Sequence, residues 1–264
     1  MRAWPGLSAW PKFLAFLALA LWLPPLAAAE PPGAAGPLKI RAATEPNWPP
    51  LEFKDGSGRI VGFSVDFFQA VCREADCEVE VIGTVWDDIF TGLKEGRWDM
   101  VVSSVTITPE RRREMNFSIP YYIVRQSLLT PASSSITSPR QLDNGQRVGF
   151  MADTTAAEVA ARTGAAAAPY PDIADAVAAL AQGEVEAVIC EDVVAQAYMT
   201  RPEYAGKMKI AAIVETPGAE ELYAAALRLD DLDLLTRIND GIKAVMAKGL
   251  DREIHQKWFG PAVR

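Results

Sequence analysis

Histidine is all but missing from this 264-residue chain, which carries one, His255, in a stretch that reads as its last helix. With so little imidazole and only three cysteines, no metal-ligand spacing is present, and no nucleophile has a histidine base beside it. No glycine-rich phosphate loop occurs either, so no cofactor is expected. Positive charge is in deficit: 26 Lys and Arg stand against 34 Asp and Glu, a formal net charge of −8. No basic stripe with interleaved aromatics breaks that balance, which argues against nucleic acid as the main partner. Long apolar runs are scarce too, and the one near the N-terminus, Phe13 to Leu23, is too short for a comfortable membrane span.

What is present begins with that run. Arg2 and Lys12 precede it, and Ala27-Ala28-Ala29 follows as a small-residue cleavage site before Glu30. Residues 1–29 therefore read as a signal peptide rather than part of the fold, an uncleaved anchor being the alternative. No cysteine lies near the cleavage site to carry a lipid. An exported chain meets oxidising conditions, so Cys72 and Cys77 are expected to form a disulfide and Cys190 to be a buried free thiol. Three free thiols remain the alternative, because spacing does not fix side-chain geometry. Half of the residues are hydrophobic, enough for a substantial core in one large domain or two small ones.

The stretch from Met100 to Arg111 concentrates the chemistry. Met100-Val101-Val102 reads as a short buried strand, and Ser103, Ser104 and Thr106 follow where it ends. Thr108 suits a helix N-cap and Pro109 the first helical position, which predicts a helix with Arg111 in its first turn. A cation there opposes the helix dipole unless an anion sits beside it. Hydroxyls, free N–H groups and a guanidinium would then converge on a carboxylate. The alternative is a surface arginine in the run Arg111–Arg113.

Around this stretch, short apolar strands alternate with amphipathic helices. Leu38–Ala42 reads as a strand running into the proline-rich loop that presents Glu45 and Trp48. A hairpin turn is expected at Asp55–Gly58, a helix with Phe67 and Val71 inward, and another with Trp86, Ile89, Phe90 and Leu93 at helical spacing. Ile123–Thr130 is one long extended run, and a boundary falls in Pro131–Ser138. A second unit repeats the pattern. Gly96–Val102 is echoed by Gly183–Ile189, each following a helix and ending in polar residues. Two α/β lobes with mainly parallel strands follow from that echo.

Taken together, Gly62–Asp66, Gly96–Asp99, Ser103–Arg111, Phe117–Tyr121, Val148-Gly149, Gly183–Glu186 and Lys257–Gly260 resemble, in order and spacing, the periplasmic amino-acid-binding proteins of ABC importers, solute-binding family 3. The resemblance spans Leu38 to Gly260. It implies the type II periplasmic-binding-protein fold, an α/β architecture of two lobes joined by two hinge strands. The lobes would be 38–128 with 222–264, and 132–218, with hinges near Ser127–Pro131 and Thr216–Ala224. It further implies a monomer that takes an amino acid between the lobes and passes it to a membrane permease.

By the same resemblance, Trp48 and Trp86 form an aromatic clamp. Ser104, Thr106 and Arg111, with Ser103 beside them, hold the ligand's carboxylate, and Glu191 takes its ammonium group. Asp153-Thr154-Thr155 matches the second-lobe loop. Asp153 replaces the family's usual glycine there, and Glu191 its usual aspartate. With Glu45, these substitutions make a negative pocket, which leans toward a polar or basic amino acid over an acidic one. Two other classes stay open. One is an enzyme similar to cyclohexadienyl dehydratases, although Val194 stands where their general-acid glutamate falls. The other is a sensory module acting in trans.

Overall fold

The structure is a computed structural model that describes residues 37–214 and 221–260. The expected signal peptide and the first part of the expected second hinge lie outside the described residues.

The chain opens with β1 (Leu38–Thr44), β2 (Asn47–Trp48), β3 (Glu52–Lys54) and β4 (Ile60–Val61). The last three form a small antiparallel sheet closed by the Asp55–Gly58 turn. Gly62 then starts α1 (Phe63–Glu74) with φ at 142°, and a Cβ there would lie 2.1 Å from the Leu51 carbonyl oxygen. Only glycine lets the helix begin so close to that backbone. β5 (Cys77–Gly83), α2 (Trp86–Lys94), β6 (Met100–Val101), β7 (Asn116–Phe117) and β8 (Tyr122–Val124) follow. The second half comprises β9 (Gln126–Pro131), β10 (Arg147–Met151), α3 (Thr155–Ala160), β11 (Ala166–Tyr170), α4 (Ile173–Gln182), β12 (Ala187–Glu191), α5 (Asp192–Met199) and β13 (Met208–Ile213). The chain then returns through β14 (Glu221–Tyr223), β15 (Ala226–Leu227), α6 (Leu232–Lys248) and α7 (Leu250–Phe259).

Two five-stranded sheets result, ordered β5-β1-β6-β15-β7 and β11-β10-β12-β9-β13. In each, three parallel strands are followed by an antiparallel one. The two echoed sequence stretches lead into β6 and β12, the corresponding third parallel strands. Their residues are buried throughout, as parallel strands covered on both faces require. The last two helices pack back onto the first lobe. Asp66 of α1 accepts hydrogen bonds from Trp258 Nε1 at 2.7 Å and Lys257 Nζ at 2.6 Å.

Three expectations change. The run Ile123–Thr130 breaks at Arg125: β8 pairs with β14 in a separate two-stranded ladder, whereas β9 is an inner strand of the second sheet. Ser127–Pro131 is therefore not a hinge, and Gln126–Leu128 belongs with the second sheet. An apolar run alone does not show where a chain leaves one sheet for another. The helix expected after Thr108 is a single 3-10 turn, Arg111–Arg113. The Thr108 hydroxyl accepts from the Arg111 amide at 3.2 Å, but Glu110 holds the N-cap position without a side-chain cap bond, and the chain turns at once into β7. Finally, Cys72 and Cys77 are two free, buried thiols, not a disulfide, and Cys190 is free and buried as expected.

Candidate functional site

In both sheets the chain leaves the central parallel strand toward one edge and the neighbouring third parallel strand toward the other, β1 to β5 and β6 to β7 in the first, β10 to β11 and β12 to β13 in the second. Crevices open at the carboxyl ends of strands where this happens. The ends in question are those of β1 and β6 in one lobe and of β10 and β12 in the other. They carry Glu45, Ser103 and Ser104, Thr154 and Thr155, and Glu191. Together with Trp48, Glu52, Trp86, Thr106, Arg111 and Met151 they line one cavity with an empty volume of about 360 Å³. Ten of the eleven ligand-contact candidates read from the sequence thus meet in one place.

The exception is Asp153. Its side chain is exposed and lies outside the cavity wall. Its carbonyl oxygen accepts a hydrogen bond from Trp86 Nε1 at 3.1 Å, which joins the second lobe to the first. Asp153 has φ at 57°, a left-handed conformation where glycine is the easiest residue and Asp is better tolerated than most. Ser104 shares that conformation, with φ at 48°. Two non-glycine residues in this region, one on each side of the cleft, mark backbone held in place by its surroundings. A second contact across the cleft runs from Asn47 Nδ2 to Asp172 Oδ2, at 2.7 Å.

Arg111 is the cation of this wall. Its Nη1 donates to the Thr106 carbonyl at 2.9 Å, and its guanidinium carbon lies 5.4 Å from the ring centroids of both Trp86 and Phe90. Among the described residues no carboxylate comes within ion-pair distance of it. Burial works against its charge, with Glu221 the strongest of the carboxylates opposing that. The Glu45 amide donates to Ser103 Oγ at 3.0 Å, tying the ends of β1 and β6 together.

Three cavity carboxyls are pushed up from the usual glutamate range. Burial raises Glu45 to about 7, against the pull of a Trp86 backbone hydrogen bond. It raises Glu52 to about 8, with the Ser104 and Ser64 hydroxyls opposing the shift and Glu191 and Glu45 adding to it. Burial and the nearby Glu221 raise Glu191 to about 7. Among the described residues neither Glu52 oxygen receives a well-aligned hydrogen bond, nor does Glu191 Oε2. A surplus of buried acceptors with too few donors is a receptor for donors, and for cations above all.

Sequence reasoning missed Glu52, Met151 and, just behind the wall, Gln126 and Glu221. Glu52 stands opposite Trp48 in the β2–β3 ladder, so the two share a face. The proline-rich segment between those strands concealed the pairing. Nothing local marks Glu221.

Two α/β lobes with a polar cavity between their strand ends define a two-lobed solute receptor. The chain belongs to the bacterial extracellular solute-binding proteins, family 3, whose model matches residues 40–261. The arginine-binding extracellular protein ArtP of Bacillus subtilis (strain 168) is 27% identical over 227 residues, which cover 85% of this chain and 87% of that one. An ancestral arginine-binding protein, solved bound to arginine, superposes with a TM-score of 0.79 at 29% identity, covering 86% of this chain and 100% of that one. An ancestral amino acid-binding protein described as a precursor of cyclohexadienyl dehydratase superposes with a TM-score of 0.73 at 28% identity, covering 84% and 95%. The fold is accordingly the type II periplasmic-binding fold.

Proposed function

We propose that this chain captures an amino acid with a polar or basic side chain and delivers it to the membrane permease of an ABC importer. One observation carries the reading: a half-buried guanidinium, Arg111, and three buried glutamates, Glu45, Glu52 and Glu191, line the same small cavity. Arg111, with Ser103, Ser104 and Thr106, takes the ligand's carboxylate. Glu191 takes the ammonium group, and Trp48 and Trp86 flank the side chain. Thr154 and Thr155 close the site from the second lobe. Glu45 and Glu52 are then left buried without a cation, and a basic side chain relieves that cost. The relatives' arginine ligands support the same choice.

The reading takes the protein as a periplasmic monomer released from its signal peptide after Ala29. Its lobes follow the two five-stranded sheets, one built on β1, β5, β6, β7 and β15 and the other on β9 to β13. The protein is not an enzyme: Val194 is fully buried and transfers no proton where the dehydratases carry their acid. Conversion of prephenate or arogenate by pure protein would overturn that part.

Calorimetry with arginine, lysine, histidine, glutamine, glutamate and aspartate tests the whole. A basic or polar amino acid should bind tightest and raise the melting temperature. Absence of binding by every one, or tightest binding by glutamate or aspartate, would refute it.

A further inference from the structure

Glu221 lies on β14, in the strand pair that joins the two lobes, and is 8% exposed. Its backbone is fastened to the first lobe. Thr106 bridges to Tyr223, the Ile107 amide donates to the Leu222 carbonyl at 3.0 Å, and the Ala224 amide donates to the Val105 carbonyl at 3.2 Å. Its side chain reaches the other way. Glu221 Oε2 accepts from Thr155 Oγ1 at 2.9 Å and from Gln126 Nε2 at 3.1 Å, both of the second lobe. A longer bond, from Thr106 Oγ1 at 3.2 Å, stays within the first lobe. It can be given up to a ligand without loosening the hold on the second lobe.

Glu221 is not alone in bridging the cleft, but its setting differs. The bonds from Asn47 to Asp172 and from Trp86 to the Asp153 carbonyl stand at the exposed rim. Water serves both partners there as the lobes part, so each bond is worth little net. Glu221 sits behind the cavity wall, where water competes less, and its two bonds to the second lobe end on a carboxylate. Hydrogen bonds of that kind are about twice as strong as neutral ones. Thr155 is also the first residue of α3 and lines the cavity. A grip on its hydroxyl therefore fixes the wall that the second lobe presents to a ligand.

We propose that Glu221 is the inner latch of the cleft: a positioning residue, carried by the first lobe, whose carboxylate takes hold of Thr155 and Gln126 of the second lobe when the lobes meet and so sets how long a captured ligand is held. The inference rests on the amino-acid-receptor reading and deepens it. Glu221 touches no ligand. It acts through Thr155, and its contribution exists only while the lobes are together.

Stopped-flow kinetics with arginine, or with whichever amino acid of the calorimetric series binds tightest, separate holding from capture. Glu221→Ala should speed dissociation by about tenfold or more and leave association nearly unchanged, because the latch acts only once the lobes have met. Glu221→Gln keeps an acceptor oxygen on an isosteric side chain, so its dissociation rate should fall between those of wild type and Glu221→Ala. Combined with Thr155→Val, the two losses should fall well short of multiplying, since either change breaks the same bond. Circular dichroism and melting curves establish that each variant is folded, and Glu221→Gln carries the test should Glu221→Ala not fold. A merely structural role would lower the melting temperature and leave dissociation alone. Unchanged dissociation in the folded variants, or losses that multiply with Thr155→Val, would overturn the proposal. So would a larger effect from Asn47→Ala at the rim. Each of these results leaves the receptor reading standing, whereas wild-type protein that binds none of the amino acids ends both.

Discussion

Arg111 shows how one side chain is made ready for an anion. Its guanidinium is held by the Thr106 carbonyl and by two aromatic faces rather than by an acid. A forked cation left without a carboxylate partner is free to take one from a ligand. Arg111→Ala should weaken amino-acid binding by about 2–5 kcal/mol, and Arg111→Lys should also weaken it, because a point charge lacks the fork. Arg112→Ala, at an exposed neighbour, is the control; equal affinity in all four proteins would remove Arg111 from the site. The two acids on the cleft's rim divide differently from what their sequence positions imply. Glu45 is buried on the cavity wall and Asp153 is not. Glu45→Gln should therefore reduce the preference for arginine over glutamine, while Asp153→Gly leaves it unchanged. A competition assay in which Asp153→Gly has the larger effect would reverse that assignment.

At the scale of elements, closure depends on which segments touch across the cleft. Asp172 has two tasks at the start of α4. Its Oδ1 caps the helix by accepting from the Ala174 amide at 2.7 Å, and its Oδ2 accepts from Asn47 of the other lobe. The two variants should separate these tasks. Asp172→Ala loses the cap and should cost about 1 kcal/mol of stability, read from denaturant unfolding. Asn47→Ala leaves the cap intact, so stability should hold while ligand dissociates faster in stopped-flow measurements, the association rate changing little. Unchanged dissociation would mean the contact plays no part in holding the lobes together. The Thr108 turn teaches a related lesson about elements. Capping chemistry was legible in Thr108-Pro109, and the Thr108 hydroxyl does accept from the Arg111 amide, yet the helix starts two residues later and ends after one turn because Asn116–Phe117 is taken into the first sheet. Tertiary pairing overrides a local signal when the segment is short.

For the whole molecule, the cleft governs how stability responds to pH. Glu45, Glu52 and Glu191 have folded values of about 7, 8 and 7, all above the glutamate reference of 4.5. The folded state then holds more protons than the unfolded state between those limits, so stability falls as pH rises. Groups shifted the other way, such as Asp88 and Glu114 beside Arg97 and Lys94, lose their contribution only at more acidic pH. The melting temperature without ligand should therefore decline from pH 5 to pH 8, and Glu52→Gln should flatten the decline. A flat or rising profile in the wild-type protein would contradict the buried acid cluster. Binding of a cationic ligand should also release protons near neutral pH, visible as a calorimetric enthalpy that changes with the buffer's ionisation enthalpy.

Much of this molecule was written in the sequence. The alternation of buried strands and amphipathic helices, the echo of Gly96–Val102 in Gly183–Ile189, and the polar residues just past strand ends fix two α/β lobes and most of the cleft wall. Those signals are local, because strand burial, helix periodicity and strand-end chemistry each act within a few residues. Tertiary structure decided the rest. It broke Ile123–Thr130 between two sheets, turned Asp153 outward, and left Cys72 and Cys77 as free thiols. It also brought Glu52 and Glu221 to the cleft, from a hairpin and a joining strand whose sequences show nothing unusual. A carboxylate is surface decoration or a buried acceptor according to what packs over it, and a segment more than a hundred residues away in the chain supplies that cover for Glu221, whose carboxylate accepts from Thr106.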